Sequence, residues 1–201
     1  MNTILQTALD LTELSRAMQI AREAVLGGTD WIEAGTPLIK SEGMNAVREL
    51  AKEFPNHKII ADLKTSDTGG LEVEMAAKAG ADVVCILASA DDAVILDALR
   101  GAALYGVELM ADMMNVADVA GRAKQLADMG VHIINAHVGI DQQMEGKNPL
   151  DILSEISGLG VKVAAAGGLN AQTAAAAAAA GADIVIVGAG IVKAADVGAA
   201  A

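Results

Sequence analysis

The chain has 201 residues, 53% of them hydrophobic and 20% charged, with a formal net charge of −12. The apolar content excludes a disordered chain, and the length suits one large domain or two small ones. An acidic balance without a basic stripe excludes a nucleic-acid surface, and no apolar run reaches the ~20 residues of a membrane-spanning helix. The opening stretch MNTILQTALDL has neither a basic leader nor a small-residue cleavage site, so the cytoplasm is the expected compartment. The single cysteine, Cys85 in VVCIL, reads as a buried thiol and rules out a disulfide framework. Net charge does not exclude an anionic ligand. Exposed charges are screened beyond ~8 Å, and a phosphate can be held locally by backbone N–H groups.

In chain order, strand-like runs begin at Ile4 (ILQTALD), Asp30 (DWIEA), Lys58 (KIIADLK) and Asp82 (DVVCIL). They continue at Val107 (VELMADM), Val131 (VHIINAH), Val161 (VKVAAAG) and Asp183 (DIVIVG), so starts fall 22 to 30 residues apart. Between them lie patterns near the 3.6-residue period, such as LSRAMQIAREAV, GMNAVRELAKEF, LEVEMAAKAG and VAGRAKQLADMG. This alternation implies right-handed crossovers and a parallel sheet, either closed or lying open as a doubly wound sheet. An open nucleotide-binding sheet should carry a glycine-rich turn after its first strand, whereas LDLTEL has no glycine. Glycines sit instead after the seventh run (Gly167, Gly168) and the eighth (Gly188, Gly190), where barrels commonly bind phosphate. The expected fold is therefore a (β/α)8 TIM barrel, one α/β domain over residues 1–201. Ala174 to Ala180 are consecutive alanines and suit a seventh helix, while the remaining AADVGAAA leaves only a truncated or minimal eighth helix.

The chemistry gathers at the strand ends. Residues two apart on a strand share a face, roughly 6.6 Å apart along it. Asp62 and Lys64 therefore point one way, and Ala61 and Leu63 point towards the helices. Asp10, Glu33, Asp112 and the pair Asn135 and His137 end the first, second, fifth and sixth strands. An Asp62–Lys64 ion pair alone would serve to fix a barrel, and Glu33 alone would serve to fix a loop. Five strand ends sharing the pattern point to a working site. Glu33 and Asp62 are hard oxygen ligands suited to Mg²⁺. Lys64 beside carboxylates stays protonated, and an ammonium with a metal stabilises an enediolate oxygen. His137 is the natural proton carrier; His57 reads as a loop residue and His132 as packing outwards. Gly167-Gly168 and Gly188-x-Gly190 allow backbone N–H groups to approach a phosphate.

Asp62-x-Lys64-x-x-Asp67 after the third strand resembles the signature of the orotidine-monophosphate decarboxylase superfamily. Similar segments run along the chain: QTALD, WIEAGTPLIKSEG, ADLKTSDTGG, EMAAKAGAD, AHVGIDQQ, GKNP, AGGLN and VGAGIVKAAD. Glu33 is similar to the metal-dependent branch. Ile140 stands where the keto-gulonate-phosphate decarboxylase branch carries an Arg. His137-Val138-Gly139-Ile140-Asp141-x-Gln143, followed by Gly146-Lys147-Asn148-Pro149, resembles the hexulose-phosphate synthase branch, as does Asp112 in ADMMNV.

The resemblance implies a homodimeric enzyme adding formaldehyde to ribulose 5-phosphate, or cleaving the product. It implies Mg²⁺ on Glu33 and Asp62, Lys64 at the enediolate, and His137 moving the proton at carbon 1. Asp10 would contact substrate hydroxyls or orient Lys64, and Asp67 would reach the neighbouring subunit's site. Gly168, Gly188 and Ala189 would offer N–H groups to the phosphate. The alternative within the family is a decarboxylase of a phosphorylated keto acid; a barrel keeping the site only as a relic is a third reading.

Overall fold

A computed structural model describes residues 3–146 and 148–201; Met1, Asn2 and Lys147 lie outside the described residues. Strands β1 (Ile4–Leu9), β2 (Trp31–Ala34), β3 (Lys58–Thr65) and β4 (Val83–Leu87) form the first half of the sheet. Strands β5 (Glu108–Asp112), β6 (Ile133–His137), β7 (Lys162–Ala166) and β8 (Ile184–Val187) form the second. All neighbours pair in parallel and β8 returns to β1, closing the barrel in sequence order. Every strand-like run of the sequence is a strand, and the closed alternative is the one adopted.

The crossovers are α1 (Leu14–Gly27), α2 (Thr36–Glu42) with α3 (Asn45–Glu53), α4 (Gly69–Ala79), and α5 (Asp92–Tyr105). Then come α6 (Val119–Met129), α7 (Ile140–Gln143) with α8 (Pro149–Ile156), and α9 (Ala171–Ala179). The last crossover is α10 (Ala189–Val192) with α11 (Val197–Ala200). The alanine tract is helical, started by a capping box in which the Asn170 side chain accepts from Thr173 N–H and Thr173 Oγ1 accepts from Asn170 N–H. With one buried residue, Ala177, its hold on the barrel is light. The expected minimal eighth helix is the pair of single-turn pieces α10 and α11, the second packed on α1 with Gly198 against Gly27. Among the described residues, no helix is long and apolar enough to cross a membrane.

Side-chain alternation builds two cores. Outward positions such as Ile32, Ile59, Val84, Leu109 and Ile134 pack beneath the helices. Inward positions fill the barrel, among them Trp31, Ile60, Cys85, Met110 and Ile186. Alternate strands contribute to each interior layer of such barrels. At the N-terminal end that layer is charged: Glu108 of β5 accepts from Lys162 Nζ of β7 at 2.8 Å and from Lys58 of β3. Lys58 also lies over the Trp31 ring, 5.0 Å from its centroid. This ionic floor leaves the opposite end as the place where a ligand can enter.

Burial by itself would raise the Glu108 carboxyl, but the hydrogen bonds from Lys162 and Lys58 outweigh it and hold it below its ordinary value. A depressed acid stabilises above its unfolded pKa and loses that contribution as pH falls through the folded value. The three side chains are partly exposed, so the gain is about 1 kcal/mol or less. Glu108→Gln is expected to lower Tm by roughly 2–4 °C at pH 7. The difference should vanish below about pH 4. Equal melting of both proteins at neutral pH would remove the floor's stabilising role.

Candidate active site

The C-terminal mouth starts from an irregularity in β3. Asp62 pairs with Cys85 of β4, but the next paired residue is Thr65, opposite Ile86, so Leu63 and Lys64 form a bulge. Lys64 adopts φ 49°, a left-handed conformation that costs a side-chain-bearing residue energy and marks sites where geometry is forced. Regular alternation would place Lys64 one pleat beyond Asp62. The bulge instead turns its ammonium back over the barrel, where Nζ lies 3.0 Å from Asp62 Oδ2 and 2.8 Å from Asp112 Oδ2.

Asp112, fully buried at the end of β5, is the hub. Its Oδ2 meets both Lys64 and His137 Nδ1, the latter at 2.6 Å, while Oδ1 accepts the N–H of Met114 at 2.9 Å. Burial alone would raise its pKa; the bonds and charges of His137 and Lys64 outweigh that and hold it at about 2. An ionised Asp112 requires hydrogen on Nδ1, which leaves Nε2 as the ring nitrogen able to take up a proton. Burial also disfavours the Lys64 ammonium, yet Asp62 and Asp112 push its pKa above the ordinary lysine value. Lys64 is a fixed cation and not a base.

Opposite this pair lies an acidic crowd. Glu33, buried at the end of β2, accepts from Gln6 Nε2 at 2.6 Å. Its pKa is raised well above the ordinary range, first by burial and then by Asp62 and Asp10. Asp10 is raised for the same reasons, burial first and then Asp62. Asp62 is braced by Thr36 Oγ1, which donates to Oδ2 at 2.7 Å. The Asp10 carboxylate sits in a slot between two glycines. A Cβ added at Gly35 would stand 2.3 Å from Oδ1, and one at Gly188 3.1 Å from Oδ2.

Which cation would this set take? Asp10, Glu33 and Asp62 repel one another and offer hard oxygens, the chemistry of a Mg²⁺ site. A second grouping, Asp62, Cys85 and Asp112, has ligand atoms within 4.8 Å of one another. There, however, Asp112 Oδ2 is already bonded to both Lys64 and His137. The Cys85 thiol is also pushed well up by burial and then by the two aspartates, which keeps it protonated. Glu33 and Asp10, whose carboxyls are raised by burial and by neighbouring acids, are the hard oxygens whose repulsion a divalent ion would relieve.

The glycine turns close the ring. Gly167 has φ 112° and no room for a side chain, since a Cβ would lie 2.3 Å from the Val138 carbonyl oxygen. Gly168 follows at φ 68°, beside Gln143. Gly188 precedes α10, whose first residue is Ala189. The fold thus collects Asp10, Glu33, Asp62, Lys64, Asp112 and His137 at one end, with both glycine turns on the same rim. Asp67 stands apart, exposed, its Oδ1 accepting the N–H of Thr68 at 2.8 Å. His132 faces outwards, its Nδ1 accepting from Leu109 N–H, and His57 packs edge-on against Phe54, so neither belongs to the site. Sequence reasoning missed Thr36, Gln6 and Cys85 as neighbours of the charges. Gln6 had a signal, since it shares a strand face with Asp10; Thr36 had none.

A profile of the Orotidine 5'-phosphate decarboxylase / HUMPS family matches residues 3–201. The chain belongs to this family. The 3-hexulose-6-phosphate synthase of Bacillus subtilis is 41% identical to this family member over 194 residues, 96% of this chain and 92% of that one. The crystal structure of 3-hexulose-6-phosphate synthase from Salmonella typhimurium superposes with a TM-score of 0.93 at 34% identity, covering 98% of this chain and 94% of that one. The crystal structure of 3-keto-L-gulonate-6-phosphate decarboxylase from Vibrio cholerae gives 0.87 at 29%, covering 100% and 94%.

Removing one partner of a buried ion pair strands the other charge. Asp112→Asn leaves Lys64 only Asp62 and is expected to cost about 3 kcal/mol, the low end for such losses. Urea unfolding at pH 7 measures it, and a loss under about 1 kcal/mol would show that Asp62 alone holds the ammonium.

Proposed function

We propose that this protein is an aldolase of the 3-hexulose-6-phosphate synthase type, joining formaldehyde to ribulose 5-phosphate or running the reverse cleavage. The observation that carries the reading is 41–42% identity, over nearly the whole chain, to proteins named 3-hexulose-6-phosphate synthase. In this reading the N–H groups of Gly168, Gly188 and Ala189 bind the phosphate and Asp10 bonds the sugar hydroxyls. Glu33 and Asp62 hold Mg²⁺, which when bound polarises the ketose carbonyl. Lys64 sets its ammonium against the oxyanion that develops at the carbonyl oxygen, held there by Asp62 and Asp112. His137, oriented by Asp112, takes the proton from carbon 1 on Nε2. The resulting carbanion attacks formaldehyde, and the new alkoxide takes the proton back.

Asp67 belongs to a second copy's site in this proposal. It lies two residues before α4, which exposes Leu71 and Met75 one turn apart, and α5, packed against α4, exposes Leu96. An apolar strip next to an idle carboxylate suits burial between two copies.

With Mg²⁺, ribulose 5-phosphate and formaldehyde, the protein is expected to form hexulose 6-phosphate, and Lys64→Ala to lower kcat by ~10³-fold or more without unfolding. No product from a folded wild-type protein would reject the aldolase. Faster carbon dioxide release from 3-keto-L-gulonate 6-phosphate would favour the decarboxylase instead, against the side chain of Ile140. A ligand bound only by the native state raises Tm, so millimolar Mg²⁺ should raise the wild-type Tm by several degrees and leave Glu33→Gln nearly unmoved. Equal shifts in both would place the ion elsewhere.

A further inference from the structure

The aldol step joins two substrates, and a phosphosugar spanning the mouth would obstruct the approach of the second. Its phosphate would lie on the turns after β7 and β8, and its carbonyl near Glu33 and Asp62 of β2 and β3. Between β5 and β6 the rim is different. A cavity of about 220 Å³ opens there, walled by Met113, Val116, Val119 and Ile152, with His137 and Gln142 also on its surface. Val119 starts α6 and Ile152 lies on α8, so the cavity sits over the cleft between these helices. His137 is the residue common to cavity and charged network: it binds Asp112 through Nδ1 and borders the cavity.

The lining also sorts ligands. Among the described residues it contains no Lys or Arg, and it includes Asp151, so a phosphorylated compound finds no lysine or arginine to pair with there. Aliphatic and thioether walls beside an imidazole and three carboxamides, those of Asn115, Gln142 and Asn148, suit a small uncharged carbonyl compound. Resting on the aldolase reading above, we propose that this cavity is the electrophile compartment, through which formaldehyde reaches His137 while the phosphosugar occupies the barrel mouth. The carbanion at carbon 1 forms the new C–C bond with the aldehyde carbon. The carbonyl π pair moves to its oxygen, and that oxygen takes the proton His137 removed from carbon 1. One proton leaves carbon 1 and one arrives on the new hydroxyl, so the step is balanced.

The two half-reactions separate the compartments experimentally. Exchange of the carbon 1 proton of ribulose 5-phosphate in deuterium oxide, without formaldehyde, needs the charged site alone; the full aldol reaction needs the cavity too. Val116→Trp and Ile152→Trp, which fill the cavity from two sides, are each made in the full-length protein. The formaldehyde KM is expected to rise about tenfold or more in both, with the exchange rate and the ribulose 5-phosphate KM within about twofold of wild type. Retained exchange also reports an intact fold. An unchanged formaldehyde KM in both variants, or exchange falling in step with the aldol rate, overturns the compartment. Wild-type protein showing neither exchange nor product would instead overturn the aldolase reading beneath it.

Discussion

One ammonium group organises the mouth of this barrel. Lys64 lies between Asp62 and Asp112, bonded to both, partly withdrawn from water with its side chain 22% exposed. Moving a charge out of water is costly, and only close opposite charge offsets it. The strained backbone at Lys64, the bulge in β3 and the burial of Asp112 all follow from bringing those charges within bonding distance. His137 inherits its orientation from the same oxygen. Loss of the ammonium would leave Asp62, Asp10 and Glu33 repelling one another with less compensation.

Charge in the interior is confined to the two ends. The floor joins Lys58, Glu108 and Lys162, where each cation meets the same carboxylate. Two cations share one carboxylate there within reach of solvent, and the result is structural. At the mouth, acids outnumber the ammonium, and the carboxyls of Glu33 and Asp10 are pushed up in consequence. A cation-rich cluster does not attract a metal ion. An acid-rich one lowers its energy by taking up a cation, and this contrast separates the two ends more sharply than depth or shape does.

The architecture was largely legible in the sequence because period and punctuation are local signals. The strand runs and the glycine turns were visible as residues, and eight alternations leave few topologies to choose from. The convergence of Asp10, Glu33, Asp62, Asp112 and His137 followed from strand ends once the barrel was assumed. The means by which Lys64 joins them was not legible. Alternation placed it on the right face, but the left-handed φ and the bulge depend on tertiary attraction that no local pattern encodes. Thr36 opens α2 and braces Asp62 across the strand boundary, a contact that no local pattern marks. The part played by Cys85 was equally hidden, since its depth beside two aspartates depends on the pairing of β3 with β4.

A chain of net charge −12 still offers a foothold for a phosphate because opposite charges are sorted around the rim. The carboxylates gather on β1, β2 and β3, while the turns after β7 and β8 present glycines and backbone N–H groups. Coulomb interactions at the rim act over a few ångströms, whereas the surface charge is screened within ~8 Å. In the proposed reaction, a ligand with an anionic end and a carbonyl end would therefore have one favoured orientation, its phosphate at the N–H groups and its oxygens towards the acids and the cation they would hold. Reversed, it would set a phosphate against the carboxylates of Glu33 and Asp10. In the proposed reaction, alignment of this kind would fix which carbon faces His137, and it would leave the β5–β6 flank, whose cavity is lined by Asp151 but by no Lys or Arg among the described residues, to a neutral reactant.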